Sequence, residues 1–384
     1  MEWLGDVPEH WQQKPIWSLF KRIKRTNFPT ERLLSVYRDY GVIPKDSRDD
    51  NHNRASEDLT PYQLVCANDL VINKMKAWQG SIAISELRGI VSPAYYIYQP
   101  KAEYHSKYIH FLIRSAYYIQ SYKNYSKGIR VNQWDLESEA FTHIDLLLPS
   151  LDEQEKIVAF LDTETARIDT LIAKQEKLIE LLEEQRKSII SHAVTKGLNP
   201  NAPMKDSGVE WLGDVPEHWR ISSLKRYGYF KGGAGFPHAY QGNTEENIPF
   251  FKVNSLSKDK RFLSSFSDFV GEETAKKLGA KIFPKNSIFF AKVGAALLLE
   301  RIRTNQQPCC IDNNMMGFVI QNELSFNFAF YLMSLIDFKY LVNPGAVPSI
   351  NESQISSFLI SVPPISEQTQ IANYLDTETA RIDN

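Results

Sequence analysis

DEQEKIVAFLDTETARIDTLIAKQEKLIELLEEQRKSIISHAVT, residues 152–195, contains neither Pro nor Gly. Its apolar residues Ile157, Leu161, Ile168, Leu171, Leu178, Leu182 and Ile189 recur at steps of three, four or seven. That seam predicts a helix packed along its length on another helix. At about 1.5 Å of rise per residue, the rod should run roughly 60 Å. Gln175 and Gln185 stand in the seam where Leu is expected, breaks that weaken a coiled coil but help fix its register.

The opening of the rod returns near the C-terminus. EQEKIVAFLDTETARID at 153–169 is answered by EQTQIANYLDTETARID at 367–383, and EWLGDVPEHW stands at both 2–11 and 210–219. The chain is therefore one unit written twice: short motif, variable body, rod. The expected fold class is α+β, with two similar α/β bodies separated by long helices. The expected boundaries are a first body at 1–150, a central helix at 151–198, a linker at 199–209, a second body at 210–366 and the start of a second helix at 367–384.

With 384 residues and 43% hydrophobic composition, the chain can bury two or three cores. No apolar run reaches the roughly 20 residues that span a bilayer. The first residues do not read as a signal peptide, and Cys66, Cys309 and Cys310 show no metal-ligand spacing, so a cytoplasmic location is expected. The net charge of −2 is unevenly spread. Residues 1–150 carry 19 Lys and Arg against 17 Asp and Glu, whereas residues 151–200 carry 7 against 10. Mildly basic bodies and acidic rods would put any phosphate contacts on the bodies.

In the first body, Asp69–Ile72 and Ser81–Ile84 read as paired strands, Val91–Tyr98 as a Tyr-rich strand, Lys107–Tyr122 as a helix and His143–Leu148 as a last strand. The cluster KRIKR at 21–25 reads as a solvated face or a phosphate contact. The second body repeats the order: Ser287–Ala291, with Lys292 aligned to Lys74, then strand Ile311–Ile320, helix Phe326–Val342, a Pro/Gly loop at 343–351 and strand Phe358–Val362. Trp3, Leu4, Val7 and Trp11 should tuck the entering chain against a body or rod. His10 and His218 have no partners that would make them ligands. Met315 and Met316 read as core.

Enzyme signatures are scarce. There is no GxxxxGK[ST] loop, no HExxH or Cys/His cluster and no G-x-S-x-G elbow, and KGGAGFP at 231–237 reads as a turn. The Gly-rich and Asn/Asp-Pro-Pro-aromatic motifs of an adenine methyltransferase are also missing. What the loops do carry suits base reading: Lys74, Lys76, Trp78 and Gln79 in one loop of the first body, and Lys127, Arg130, Asn132 and Gln133 in another. The second body offers Lys292, Arg301, Arg303, Asn305, Gln306, Asn313 and Asn314. Arg and Lys can donate to guanine, Asn and Gln can pair with adenine, and Lys on phosphate positions without reading.

The doubled EWLGDVPEHW openings, the NKMKAWQGS…GIVSPAYYIY stretch and the LDTETARID-led rods together resemble the specificity subunits of type I restriction-modification systems. The resemblance covers nearly the whole chain. It implies two target-recognition domains, each reading one half of a split DNA site, with antiparallel helices acting as a ruler. It also implies docking of methylation subunits that carry S-adenosylmethionine, and of ATP-dependent restriction subunits, so that cofactors and Mg belong to the partners and this chain is not an enzyme. Because the bodies differ in sequence, the expected site is bipartite and asymmetric.

One departure from the family pattern stands out. The second rod stops soon after its shared segment, which leaves Leu171, Leu178, Leu182 and Ile189 without an evident partner. Two copies pairing into a homodimer, a helix from another subunit, or a less covered seam would each answer this. A different class of reading is a coiled-coil scaffold whose bodies bind protein; a third is an enzyme in its own right, which needs a metal or cofactor site that the sequence does not display.

Overall fold

The computed structural model describes residues 5–48, 55–128, 134–257, 261–263, 268–342 and 347–383. The chain divides into two compact units, Met1–Ala173 and Lys174–Asn384. One helix, Leu151–Lys196, begins in the first and ends in the second. Its 46 residues correspond to about 70 Å. Asp152 and Glu153 stand in its first turn, where the positive end of the helix dipole favours them. Ser150 Oγ accepts the Glu153 N–H at 3.3 Å. Gly197 ends it at φ +77°, the left-handed conformation that closes helices.

The first unit is built on a four-stranded antiparallel sheet with spatial order Phe20–Ile23, Tyr95–Pro100, Leu70–Asn73, Ile82–Ile84. The second unit repeats that order with Gly228–Gly232, Met315–Ile320, Ile288–Ala291 and Arg303–Thr304. The strand that feeds each long helix also recurs. Asp145–Leu148 pairs antiparallel with Gln12–Pro15, and Leu359–Val362 with Arg220–Ser223. Duplicated sequence has become duplicated topology.

Several elements are shorter than their periodicity predicts. The Tyr-rich strand is split into Gly89–Val91 and Tyr95–Pro100 by a turn at Ser92–Ala94. Pro93 has no N–H for a ladder, which suits a turn. The following helix breaks into Ser106–Ile113 and Ala116–Asn124. In the second unit the helix is Phe326–Met333 only, followed by a short 3-10 turn at Phe338–Tyr340. The hairpin Leu34–Tyr37 with Gly41–Pro44 has no counterpart in the sequence reading.

Each long-helix start is packed on its own body. Val158 is buried and Ile157 half-buried against a core that includes Phe20, Tyr98, Tyr122 and Phe141. In the second unit Ile371 and Leu375 of the helix Ile365–Asp383 join a core with Trp219, Phe318 and Phe328, and Ile190, Ala193 and Val194 of the long helix enter the same core. There the two helices run antiparallel: Gly197 lies beside Glu367 at one end, and Arg186 pairs with Asp383 at the other. The middle of the seam is different. Ile168, Leu171 and Leu178 are about half exposed, whereas Leu161, Leu182 and Ile189 are partly covered. Met315 and Met316 are core, as expected. Among the described residues no helix is long and apolar enough to cross a membrane.

Candidate nucleic-acid interface

In the first unit the two loops singled out from sequence meet. The Leu136 N–H donates to the Lys74 carbonyl at 2.9 Å, Lys74 Nζ lies 3.3 Å from Asp135 Oδ2, and the Trp78 and Trp134 rings are 5.1 Å apart. Trp78 Nε1 donates to the Met75 carbonyl at 3.1 Å, which fixes the ring in its short 3-10 turn Ala77–Gln79. Lys76 and Gln79 are exposed at the surface of that turn. Lys127 pairs with Glu137 at 3.4 Å in an open setting where such pairs contribute little. Arg130, Asn132 and Gln133 lie outside the described residues.

Lys76 and Gln79 also border a cleft of about 780 Å³. Its other wall comes from the Leu34–Tyr37 hairpin, which brings Tyr37 and Arg38, with Lys45 beyond it. These cations were missed in the sequence reading. The available signal was YRDYG at 37–41, a turn sequence between two apolar runs, with Gly41 at φ +72°.

In the second unit Lys292, Asn313 and Asn314 come together at one end of the sheet. The Lys292 N–H donates to the Asn314 carbonyl at 2.8 Å. Asn313 and Asn314 are exposed. Gly232 is the close approach here: a Cβ on it would fall 2.7 Å from Lys292 Nζ. Asp312 anchors the Asn turn. Its Oδ1 accepts the Asn314 N–H at 2.9 Å and its Oδ2 the Val253 N–H at 3.2 Å. Burial raises the Asp312 pKa, and those N–H donors work against the rise.

Arg301, Arg303, Asn305 and Gln306 are not part of that group. Arg303 and Asn305 differ from the expectation of exposed readers, being 8% and 2% exposed. The reason is that Arg303–Thr304 is a sheet strand, paired with Ile288 and Phe289, and not a loop. Arg303 spends its guanidinium on the carbonyls of Ser257 and Ile302. Asn305 accepts the Ser287 N–H and donates to the carbonyls of Pro284 and Gln307, all at 2.8 Å. Both satisfy buried backbone and hold the sheet edge. Arg301 donates to the Leu256 carbonyl at 3.1 Å, and Gln306 is exposed.

The KRIKR cluster divides in the same way. Arg25 is bound to the buried Asp69 at 2.6 Å and Arg22 lies 4.2 Å over the Tyr96 ring, while Lys21 and Lys24 are exposed. Cys309 and Cys310 are buried free thiols whose pKa values burial pushes up, that of Cys310 to about 12. Among the described residues no group of three or more His, Cys, Asp or Glu is arranged to hold a metal.

Comparison with known proteins gives a consistent picture. Residues 8–181 and 216–384 each match the type I restriction modification DNA specificity domain. The type I restriction enzyme MjaVIII specificity subunit of Methanocaldococcus jannaschii is 24% identical, with 96% of this chain and 86% of that protein covered. The EcoKI specificity subunit of Escherichia coli K12 is 20% identical over 99% of this chain and 86% of its own. A chain from a structural study of complex assembly and conformational transition in a type I R-M system superposes with a TM-score of 0.72 at 13% identity, covering 98% of this chain and 92% of that one. The HsdS subunit of Thermoanaerobacter tengcongensis gives 0.56 at 15%, covering 98% and 91%. At such identities the structural likeness shows the fold.

Proposed function

From the premise that the chain belongs to the type I restriction-modification DNA specificity family, we propose that each body reads one half of a bipartite, asymmetric DNA site. The observation that carries this reading is the doubled sheet with divergent rims. The two sheets share one strand order. At the same end, one presents Lys74, Lys76 and Gln79 and the other Lys292, Asn313 and Asn314. Equivalent scaffolds bearing different donors and acceptors suit two different half-sites. The continuous helix Leu151–Lys196 serves as the ruler that fixes the spacer, as rigid spacing does for paired DNA-reading modules.

The chemistry belongs to partners in this reading. Methylation subunits dock on the helices and bring S-adenosylmethionine, restriction subunits bring ATP and Mg, and the chain itself performs no catalysis. It works in the cytoplasm, where host DNA is. The half-exposed Ile168, Leu171 and Leu178 supply an apolar face for docking. The same face supports a second reading, in which two copies pair through the helix as a homodimer.

The test is methylation mapping. The chain is co-expressed with its cognate methylation subunit, and host DNA is sequenced for modified adenines. A split, asymmetric motif with a fixed spacer is expected. A split palindrome would mean that one body is used twice through dimerisation. A soluble complex with no modified motif would reject the DNA-reading role in favour of a protein scaffold.

A further inference from the structure

The two rims can be compared position by position, because the same hydrogen bonds frame both. Lys74 N–H donates to the Ala94 carbonyl at 3.3 Å and Lys292 N–H to the Asn314 carbonyl at 2.8 Å. The carbonyl of Lys74 accepts from Leu136 at 2.9 Å, and that of Lys292 from Ile350 at 3.0 Å. The turn beside each lysine is also the same. Tyr95 N–H reaches the Ser92 carbonyl and Met315 N–H the Asp312 carbonyl, both at 3.1 Å, and a side-chain oxygen of Ser92 or Asp312 accepts the N–H two residues on. The 3-10 turns Ala77–Gln79 and Leu297–Leu299 each close on a left-handed residue, Gly80 at φ +95° and Glu300 at φ +53°.

This alignment sorts the rim side chains into one constant, two variable turns and an exposed Lys76 that stands where the second body has Ala296. The constant is the lysine, Lys74 or Lys292. At the turn, Pro93–Ala94 in the first body stands where Asn313–Asn314 stand in the second. At the 3-10 turn the difference reverses: exposed Gln79 stands where the second body has Leu299, which is 56% exposed. Amide groups able to read an adenine edge therefore occupy different loops in the two bodies, while a cation is kept at one place in both.

A group that is the same in two bodies of otherwise different sequence serves what their ligands share, and for two different half-sites the shared feature is the phosphate backbone. Resting on the DNA-reading role proposed above, we infer that Lys74 and Lys292 are equivalent phosphate contacts that set the pose of each body, and that discrimination lies with Gln79 in the first body and with Asn313 and Asn314 in the second. The first body thus reads from its 3-10 turn and the second from its strand-connecting turn. Leu299 offers the second body an apolar contact of the kind a thymine methyl takes. The Lys74–Asp135 pair is half-exposed, so a phosphate can replace the carboxylate as the partner of the ammonium.

The experiment uses the chain assembled with its methylation subunits, the duplex identified by methylation mapping, and a duplex of equal length with scrambled bases. Affinity is followed between about 50 and 200 mM salt. Lys74→Ala and Lys292→Ala should weaken both duplexes by the same factor and lower the salt slope by about one each, leaving the methylated motif unchanged. Lys74→Arg should retain the slope, and thermal melting of each variant separates loss of the contact from loss of the fold. Asn314→Ala and Gln79→Ala should leave the slope alone, weaken only the mapped duplex by about tenfold, and relax opposite halves of the motif. A changed motif in Lys74→Ala, an unchanged slope in a folded Lys74→Ala, or relaxation of the same half by Asn314→Ala and Gln79→Ala would overturn the assignment. A wild-type complex with no affinity for either duplex would instead remove the DNA-reading role on which it rests.

Discussion

His218 Nε2 lies 2.8 Å from Glu367 Oε2, and His10 Nε2 lies 3.0 Å from Glu153 Oε2. The two pairs are one latch made twice. In each, the histidine of an EWLGDVPEHW opening meets the glutamate near the start of the helix that leaves the same body. The latches are not identical, because Trp11 Nε1 also donates to Glu153 at 3.0 Å, while the buried Trp219 Nε1 has no hydrogen-bond partner among the described residues.

The first latch makes stability depend on acid. The Trp11 indole N–H, helped by His10, holds the Glu153 carboxyl below its ordinary value of 4.5. A depressed carboxyl pKa contributes stability that is present above the unfolded value and is lost as pH falls through the folded one. Thermal melts below about pH 5 should therefore show a steeper decline for the wild type than for Glu153→Gln or Trp11→Phe. Parallel curves for all three would show that the latch carries no linked proton.

Gln368 is the next test of the duplicated frame. Its Oε1 accepts the Ser325 N–H at 2.8 Å, and its Nε2 donates to the carbonyls of Glu323 and Pro363, both at 2.9 Å. Gln154 does the same work in the first unit, for His105 N–H and the Pro149 carbonyl. Gln368→Ala strips three backbone groups of their partner, and about 3 kcal/mol of stability should go with it. Denaturant unfolding measures this; a loss under about 1 kcal/mol would mean that water replaces the amide.

Asp69 is 1% exposed, bound to Arg25 at 2.6 Å, and accepts the Cys66 N–H at 2.8 Å. Asp69→Ala should cost about 3 kcal/mol or more, since it leaves Arg25 and a backbone donor without their partner. Arg25→Ala should also lower the melting temperature, because this member of the KRIKR cluster holds the fold. A fully stable Arg25→Ala variant would return that residue to the set of possible phosphate contacts.

The seam of the long helix separates folding from assembly. Ile168→Gln, Leu171→Gln and Leu178→Gln replace side chains that are half exposed, so each should change the stability of the isolated chain by less than about 0.5 kcal/mol. Combined, they should weaken co-purification of the methylation subunit. Unaltered recovery of the complex would show that docking uses another surface. Light scattering over a wide concentration range checks the homodimer, which a constant monomer mass would exclude.

Periodicity and repetition were enough to read the architecture. A seam of Ile157, Leu161 and Ile168 without Pro or Gly can only be satisfied as a long helix, and it is one. Two copies of EWLGDVPEHW and LDTETARID pointed to two similar bodies, because each copy joins the same opening to the same helix start. The rims were legible as composition: Lys74 and Lys292, with amides nearby, were visible as candidates.

The assignment of particular side chains was not legible, because exposure is decided by what packs beside a residue. Arg303 and Asn305 have the residue types of DNA readers, yet the strand pairing of Arg303–Thr304 with Ile288 and Phe289 turns them inward to satisfy buried carbonyls. Arg25 looks like its neighbours in KRIKR until Asp69, 44 residues away, is brought to it. The sequence by itself determined the repeat, the helix and the chemistry available on the rims. Tertiary structure alone decided which polar groups are spent inside and which remain for a ligand, since a buried donor must find its partner through space.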